Sequence, residues 1–378
     1  MMQSLTGARV FDGNRLLDGM AVCIDGSRIA ALVPEAEAPH PVTRLDNGIL
    51  APAFIDLQVN GGAGLAIGTD TDLTAIRAIC AAHLALGTGG LLATLITDTP
   101  EVTARVIAAA IAAEKAAVPG FLGLHLEGPH LDARRKGAHD AALIRPMLAN
   151  DLALILQAKS KLSHLKVTLA PEAATAGQIA ALTRAGVLVS LGHTDCTHAT
   201  AMAAIAAGAA CATHLFNAMR QLGSREPGLV GAVLDSALAC GLIADGIHIA
   251  PETLRIALAA KPEGAFLVTD AMAFAGTDLT EMRLNGRLIR RMGGKLVLDD
   301  GTLAGADLTL PQALRTLTGP VGVPLPRALA MATSIPAGVI AAAGHGTIRK
   351  GSHAHLVHLD DRLAPCAIWH AGNLVGSG

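Results

Sequence analysis

Aromatic side chains are scarce in this 378-residue chain: six Phe, one Trp and no Tyr, 2% in all. So few rings exclude a stacking platform for bases or sugars, and a polar ligand must be held by charge, hydrogen bonds or metal. Charge is sparse too, at 16%, and balanced, with 29 Lys and Arg against 31 Asp and Glu for a net −2. The basic footprint of a nucleic-acid binder is missing, so no nucleic-acid partner is expected. Six cysteines, Cys23, Cys80, Cys196, Cys211, Cys240 and Cys366, form no CxxC pair. They are expected to be buried free thiols in a reducing compartment. The opening MMQSLTGARVFDGNRLL has no apolar signal core, so a cytoplasmic location is expected. No GxGxxG follows the first strand-like run, which counts against a nicotinamide-dependent dehydrogenase.

What is abundant is aliphatic: 51% of the residues are hydrophobic and 41 are Gly, which excludes disorder. The length suits two or three domains of roughly 150 residues, or one α/β barrel of about 250 with attachments. Ala199–Met219 is long enough to span a membrane, but it is rich in Ala and Gly and contains His214 and Asn217. A packed helix running into a buried strand is expected there, and no membrane partner.

The two ends share a texture. Ala21–Ile24 and Arg28–Leu32 are broken by Asp12-Gly13 and Asp25-Gly26, and residues 354–359 and 367–370 are followed by Gly372-Asn373. Such turn chemistry predicts hairpins, hence a small β-sandwich domain built from residues 1–50 and 345–378 around a middle of 51–344. That middle repeats apolar runs at Phe54–Val59, Leu91–Ile96, Phe121–Leu126, Lys166–Ala170, Leu188–Leu191, Ala210–Thr213, Leu242–Ala244 and Phe266–Thr269. Ala-rich helical stretches, such as Asp72–Leu86, Glu101–Lys115 and Ala176–Ala185, lie between them. Eight runs alternating with helices predict a (β/α)8 barrel; periodicity alone leaves a doubly wound open sheet as the alternative.

Polar residues sit just after these runs: Glu127 after the third, His193 after the fifth, His214 after the sixth, His248 after the seventh and Asp270 after the eighth. In a barrel these ends share one mouth. One carboxylate and two imidazoles there would make a three-ligand metal site with an open position for water, beside a further Asp as base. Singly, each has an ordinary reading. His83 suits a satisfied packing residue, and His40, His164, His345, His353, His355 and His358 are expected to be solvated, as is the run Arg134-Arg135-Lys136.

The local sequences are specific. PAFIDLQVNGG (52–62), HLEGPHLDARRKGAH (125–139), LGHTD (191–195), THLFNAM (213–219), REPGLVG (225–231), ADGIH (244–248), VTDAM (268–272) and TLAGADLTL (302–310) closely resemble the N-acetylglucosamine-6-phosphate deacetylase family of the amidohydrolase superfamily. The match runs in order over essentially the whole chain. It implies metal-dependent hydrolysis of the substrate's acetamide, with Glu127, His193 and His214 as ligands and Asp270 as general acid/base. Many amidohydrolases carry His-x-His after the first strand. Gln58 and Asn60 stand there instead, and amides are poor ligands beside imidazole, so a single divalent ion, zinc, is expected. The resemblance further implies Asn217, the Ala218 backbone and Arg225 as phosphate contacts. Ala138, His139 and Leu308 are implied as other substrate contacts, and His248 as an oxyanion or hydroxyl donor. It also implies a homodimer in which Arg225 crosses to the neighbouring subunit. Deacetylation of N-acetylgalactosamine-6-phosphate or of an N-acyl amino acid, and a non-catalytic phosphosugar-binding barrel, are the alternatives. Ala53, Ala306, Asp195 and residues 274–281 depart from the family pattern.

Overall fold

The computed structural model describes residues 2–284 and 286–377. Eight parallel strands follow one another in chain order around a barrel: β1 (Phe54–Val59), β2 (Thr88–Ile96), β3 (Phe121–Glu127), β4 (His164–Leu169), β5 (Leu188–Leu191), β6 (Cys211–Ala212), β7 (Ala239–Leu242) and β8 (Ala265–Leu267). The ring closes just beyond β8. There Val59 bridges Ala271, Asp270 N–H donates to the Gln58 carbonyl at 3.1 Å, and Asn60 N–H donates to the Ala271 carbonyl at 2.8 Å. Closure rules out the open sheet. It also puts residue 270 directly beside residues 58 and 60, which are some 210 positions away in sequence.

Short polar residues start several of the helices between strands. The expected Asp72–Leu86 runs one residue beyond the observed helix at its start because Asp72 is the cap, whereas Glu101–Lys115 begins one residue late and Ala176–Ala185 ends one residue late. Asp72 accepts from Ala75 N–H to cap Leu73–Ala85, and Thr99 from Val102 N–H to cap Pro100–Lys115, whose leading Pro has no N–H to satisfy. Thr175 and Gln178 form a reciprocal capping box on Ala176–Arg184. The Ala-rich stretch after β5 is a short helix, His198–Ala206, leading into β6, and no helix among the described residues is long and apolar enough to cross a membrane. β7 begins three residues earlier than expected: it pairs with β8 through Cys240–Leu242, and Ile243 and Ala244 follow as buried connection. Small residues let the layers meet. A Cβ on Gly89 would fall 2.4 Å from the Cβ of Ala53, so the alanine at 53 is accommodated because its neighbour is glycine.

Both chain ends form two further sheets. Residues 2–6, 20–25, 28–34 and 42–44 make one; residues 9–11, 16–17, 49–52, 356–359, 365–370 and 373–377 make the other. They enclose a core of their own that includes Leu5, Val22, Ile24, Leu50, Leu356 and Trp369. A four-stranded antiparallel sheet follows β8 and was not expected: β9 (Glu281–Leu284), β10 (Arg287–Met292), β11 (Lys295–Leu298) and β12 (Leu303–Ala306). Its signals were in the sequence, since Asn285-Gly286, Gly293-Gly294 and Asp300-Gly301 are hairpin-turn pairs at regular spacing. β12 docks on the barrel mouth, where Ala306 N–H donates to the Asp270 carbonyl at 2.9 Å. Gly305 (φ 67°) is required there, because a Cβ would lie 2.6 Å from Met272 Cγ.

All six cysteines are free, five buried and Cys366 half-buried; burial pushes the Cys80 and Cys240 thiols up to about 12, which leaves them unreactive. His83 is buried and donates to the Gly61 carbonyl at 2.8 Å. His358 is likewise buried, bonded to the Asn47 carbonyl, rather than solvated. His345, His353 and His355 also depart from the expectation of solvation. With His370 they form a half-buried stack, ring centroids 4.3 to 5.3 Å apart. Burial, then mutual repulsion and Arg28, holds His345 down at about 4 and His355 at about 3, and lowers His353 and His370. An unfolded histidine titrates at about 6.5, so below that pH the unfolded chain takes up protons that the folded chain refuses. Stability should therefore be full above about pH 6.5 and fall as the pH drops toward 4. Urea midpoints measured from pH 7.5 to 5 should decline steeply, and His345→Gln/His370→Gln should flatten that decline. An unchanged slope in the variant would remove the stack as its cause.

Candidate active site

The strand ends deliver their polar residues to one cavity of about 380 Å³, lined among others by Asn60, Glu127, His139, His193, His214, His248 and Asp270. Glu127 closes β3 and is fully buried, level in register with Ile96 of β2 and Thr168 of β4. His193, His214 and Asp270 follow β5, β6 and β8, all three with left-handed backbone (φ 47°, 31° and 53°). For residues with a Cβ this conformation costs of order 1–3 kcal/mol each, and it persists only where the surroundings enforce it. Here it turns three side chains toward the barrel axis.

Three donor atoms converge. Glu127 Oε1 lies 3.2 Å from His193 Nε2 and 3.0 Å from His214 Nε2, and the two nitrogens are 3.1 Å apart. A tetrahedral ion with bonds of 2.0–2.1 Å needs neighbouring ligand atoms about 3.3 Å apart. The donor set, one carboxylate oxygen and two imidazole nitrogens, and its spacing therefore fit a divalent cation. His193 Nδ1–H donates to the Arg135 carbonyl at 2.9 Å, which fixes the tautomer that aims Nε2 inward. His214 Nδ1 is buried without a partner among the described residues. Burial alone would raise Glu127, but the two imidazoles outweigh it and hold the carboxyl well below its usual range.

His139 brings a ring nitrogen within 4.8 Å of Glu127 and His193. It is nonetheless poorly suited to be a ligand. Its Nδ1 accepts from the Thr97 N–H at 3.3 Å and meets the Thr97 hydroxyl at 2.8 Å, so the proton of the neutral ring sits on Nε2. Burial and the adjacent His193 hold this ring down at about 3, and so neutral. It can donate to a hydroxyl in the cavity.

Gln58 and Asn60 do more than fill the place of a histidine pair. Gln58 Nε2 donates to both oxygens of Glu127 (3.1 and 3.2 Å) and to Asp270 Oδ1 (3.0 Å), and Asn60 Nδ2 donates to the same Oδ1 at 2.6 Å. Both amides thus spend their N–H groups on carboxylates. Asp270 is clamped by Oδ1, and Oδ2 is left for chemistry. Burial and the nearby Glu127 charge raise Asp270 above the ordinary aspartate range, the direction that suits a base working near neutrality.

Asp245 carries no role in the sequence reading, yet it orients His248. Its Oδ2 accepts from His248 Nδ1–H at 2.6 Å, while its Oδ1 takes the N–H groups of Ile247 and His248. The Asp-x-x-His spacing within ADGIH was the available signal. The basic run 134–136 is not simply solvated either. Arg135 and Arg220 pair with Asp195 at 2.6 and 2.7 Å, and Arg134 pairs with Asp132. Those arginines, Arg220 foremost, hold Asp195 down at about 2. Ala138, Asn217 and Ala218 line the cavity. Arg225 is exposed and lies outside the cavity lining of its own chain, and Leu308 is buried in the core, with residues 302–305 lining that wall instead.

An amidohydrolase-family model matches residues 49–375, and a NagA composite-domain model matches residues 2–48. The chain belongs to the amidohydrolase family. This amidohydrolase is 38% identical to N-acetylgalactosamine-6-phosphate deacetylase of Shewanella sp. (strain ANA-3), over 98% of this chain and 95% of that one. It is 32% identical to N-acetylglucosamine-6-phosphate deacetylase of Haemophilus influenzae, over 94% of each. Among solved structures, the N-acetylglucosamine-6-phosphate deacetylase of Pasteurella multocida superposes over 100% of both chains with a TM-score of 0.96 at 31% identity. A Mycobacterium smegmatis mutant enzyme in complex with N-acetyl-D-glucosamine-6-phosphate covers 99% of this chain and 98% of its own at 0.90 and 32%.

Proposed function

We propose that this amidohydrolase cleaves the acetamide of N-acetylglucosamine-6-phosphate to glucosamine-6-phosphate and acetate, as a step of amino-sugar catabolism in the cytoplasm. The observation that carries the reading is the meeting of Glu127, His193 and His214 at 3.0–3.2 Å in the cavity that also holds Asp270. Those three residues would hold one divalent cation, and the mixed nitrogen and oxygen set suits zinc. Bound there, the ion would lower the pKa of a water to about 7 and polarise the acetamide carbonyl. Asp270 Oδ2 takes the proton of the attacking water. It returns that proton to the amide nitrogen as the C–N bond breaks, so acetate leaves and the amine stays on the sugar. His248, its Nδ1–H held by Asp245, would donate from Nε2 to the carbonyl oxygen in its doubly protonated form as charge develops there, a contribution of about 3 kcal/mol for one such donor. With the Gln58 and Asn60 amides committed to Glu127 and Asp270, a second ion has no ligand pair, and metal analysis should return one per chain.

His139 Nε2–H and the Ala138 backbone would meet sugar hydroxyls. Leu308 could contribute only its backbone, since its side chain is in the core. Asn217, the Ala218 N–H and Arg225 would take the phosphate. Arg225 lies off its own cavity, which supports a homodimer in which it serves the neighbouring one. Arg225→Ala should raise KM for the phosphorylated sugar about tenfold with kcat nearly unchanged; unaltered kinetics would take Arg225 out of the site. For the domains, residues 1–50 with 345–378 form the β unit and 51–344 the catalytic barrel in this reading. The 38% identity to an N-acetylgalactosamine-6-phosphate deacetylase favours a second reading, the same hydrolysis on the galacto epimer. Acetate release from both phosphorylated epimers and from unphosphorylated N-acetylglucosamine tests all of this. Metal-loaded protein that releases acetate from none of them would end the deacetylase reading.

A further inference from the structure

Three arginines line the cavity, Arg134, Arg135 and Arg287, and their charges are not equally available. Arg134 is committed to Asp132, with Asp195 and Glu172 nearby, and Arg135 is committed to Asp195. Arg287 pairs with no carboxylate among the described residues. Its hydrogen bond there runs from Nη2 to the Ala138 carbonyl, which uses one of a guanidinium's five N–H groups.

Arg287 opens β10 of the inserted sheet. Alternate residues of a strand share a face, and on this strand Arg287 and Ile289 both line the cavity, while Arg291 pairs with Asp307 and covers the Phe274 ring. The face that carries Arg287 is therefore turned to the barrel mouth. Ala138, its hydrogen-bond partner, follows Gly137, where a Cβ would lie 3.5 Å from His193 Cε1 and 3.9 Å from the Cβ of Ala218. The guanidinium thus sits one loop away from the Asn217–Ala218 corner.

We propose that Arg287 binds the phosphate of the substrate from the inserted sheet of the same subunit, an inference that rests on the phosphosugar deacetylase reading. The remaining guanidinium N–H groups offer a phosphate a planar fork of donors and a positive charge that no carboxylate among the described residues pairs with. The inserted sheet then has a function. It brings to the cavity a cation that, unlike Arg134 and Arg135 of the loop after β3, is paired with no carboxylate among the described residues.

The test uses Arg287→Gln, which removes the charge yet keeps an N–H for the Ala138 carbonyl, beside Arg287→Lys, which keeps the charge. Acetate release is followed on N-acetylglucosamine-6-phosphate and on unphosphorylated N-acetylglucosamine. Arg287→Gln should lose about 10- to 100-fold in kcat/KM on the phosphorylated sugar, mostly through KM, as loss of a charge-assisted contact does. It should leave the unphosphorylated sugar unchanged, and Arg287→Lys should recover part of the loss. An equal fall on both sugars would make Arg287 a mere prop for the 137–139 loop, and no change would remove it altogether; either overturns the proposal. Wild-type protein that hydrolyses neither of these sugars nor N-acetylgalactosamine-6-phosphate would instead defeat the deacetylase reading. In that event calorimetric titration with inorganic phosphate decides for Arg287, since Arg287→Gln should then bind phosphate more weakly than wild type and equal binding refutes the role.

Discussion

Asp270→Asn should keep its metal and lose turnover by about 10²- to 10⁴-fold, the range over which a positioned general acid/base acts. The substitution is nearly isosteric. The new amide oxygen can still accept from Gln58 Nε2 and Asn60 Nδ2, which now meet Oδ1 at 3.0 and 2.6 Å, so the side chain stays where it is. What disappears is the group left over: in place of a basic Oδ2 there is an NH2 that cannot take a proton. Glu127, His193 and His214 do not depend on residue 270 for their convergence, so metal content measured beside kcat should stay at the wild-type value. A variant retaining more than a tenth of the activity with full metal would show that the base lies elsewhere.

Glu127→Gln should act on the other half of the centre, with metal affinity falling by more than about 100-fold, the scale that changes in the outer shell alone reach. Glu127 Oε1 is the atom that meets both imidazole nitrogens, and both its oxygens accept from Gln58. A glutamine supplies a neutral oxygen at best. At worst it turns its NH2 toward Gln58 Nε2, donor against donor. The two buried imidazoles also lose the only anionic contact at bonding distance that they have among the described residues. Competition against a chelator measures the affinity, and circular dichroism verifies that the barrel is intact. Stoichiometric metal in the variant at wild-type affinity would exclude Glu127 as a ligand. The two substitutions separate by metal content: in Asp270→Asn metal remains without turnover, and in Glu127→Gln turnover falls with the metal.

Much of this centre was legible in the chain, because a parallel barrel writes its site at fixed places. Buried strands must be apolar, so a polar residue directly after one stands out, and Glu127, His193, His214, His248 and Asp270 all do. The pairs Asp12-Gly13 and Asp25-Gly26 similarly marked the end sheets. The inserted sheet was missed although its turns are equally plain. Its strands, such as RLIRRM and EMRL, are short and heavily charged, and little in them resembles a buried run. The role of Asp245 was missed because a carboxylate three residues before a histidine is common in turns, and only the ring orientation distinguishes an orienting partner from a solvated neighbour.

Composition and local pattern thus sufficed for the aliphatic barrel, its helices and the list of polar strand ends, since each is a property of a residue and its near neighbours. Closure of the ring was a different matter. It brought Gln58 and Asn60 onto Asp270 across some 210 residues, while the packing of the chain after the barrel stacked four histidines and turned Arg287 toward the cavity. Those contacts follow from the three-dimensional path of the backbone, and side-chain hydrogen bonds reach only about 3 Å, so no spacing along the sequence encodes which of the many amides, imidazoles and guanidinium groups would meet.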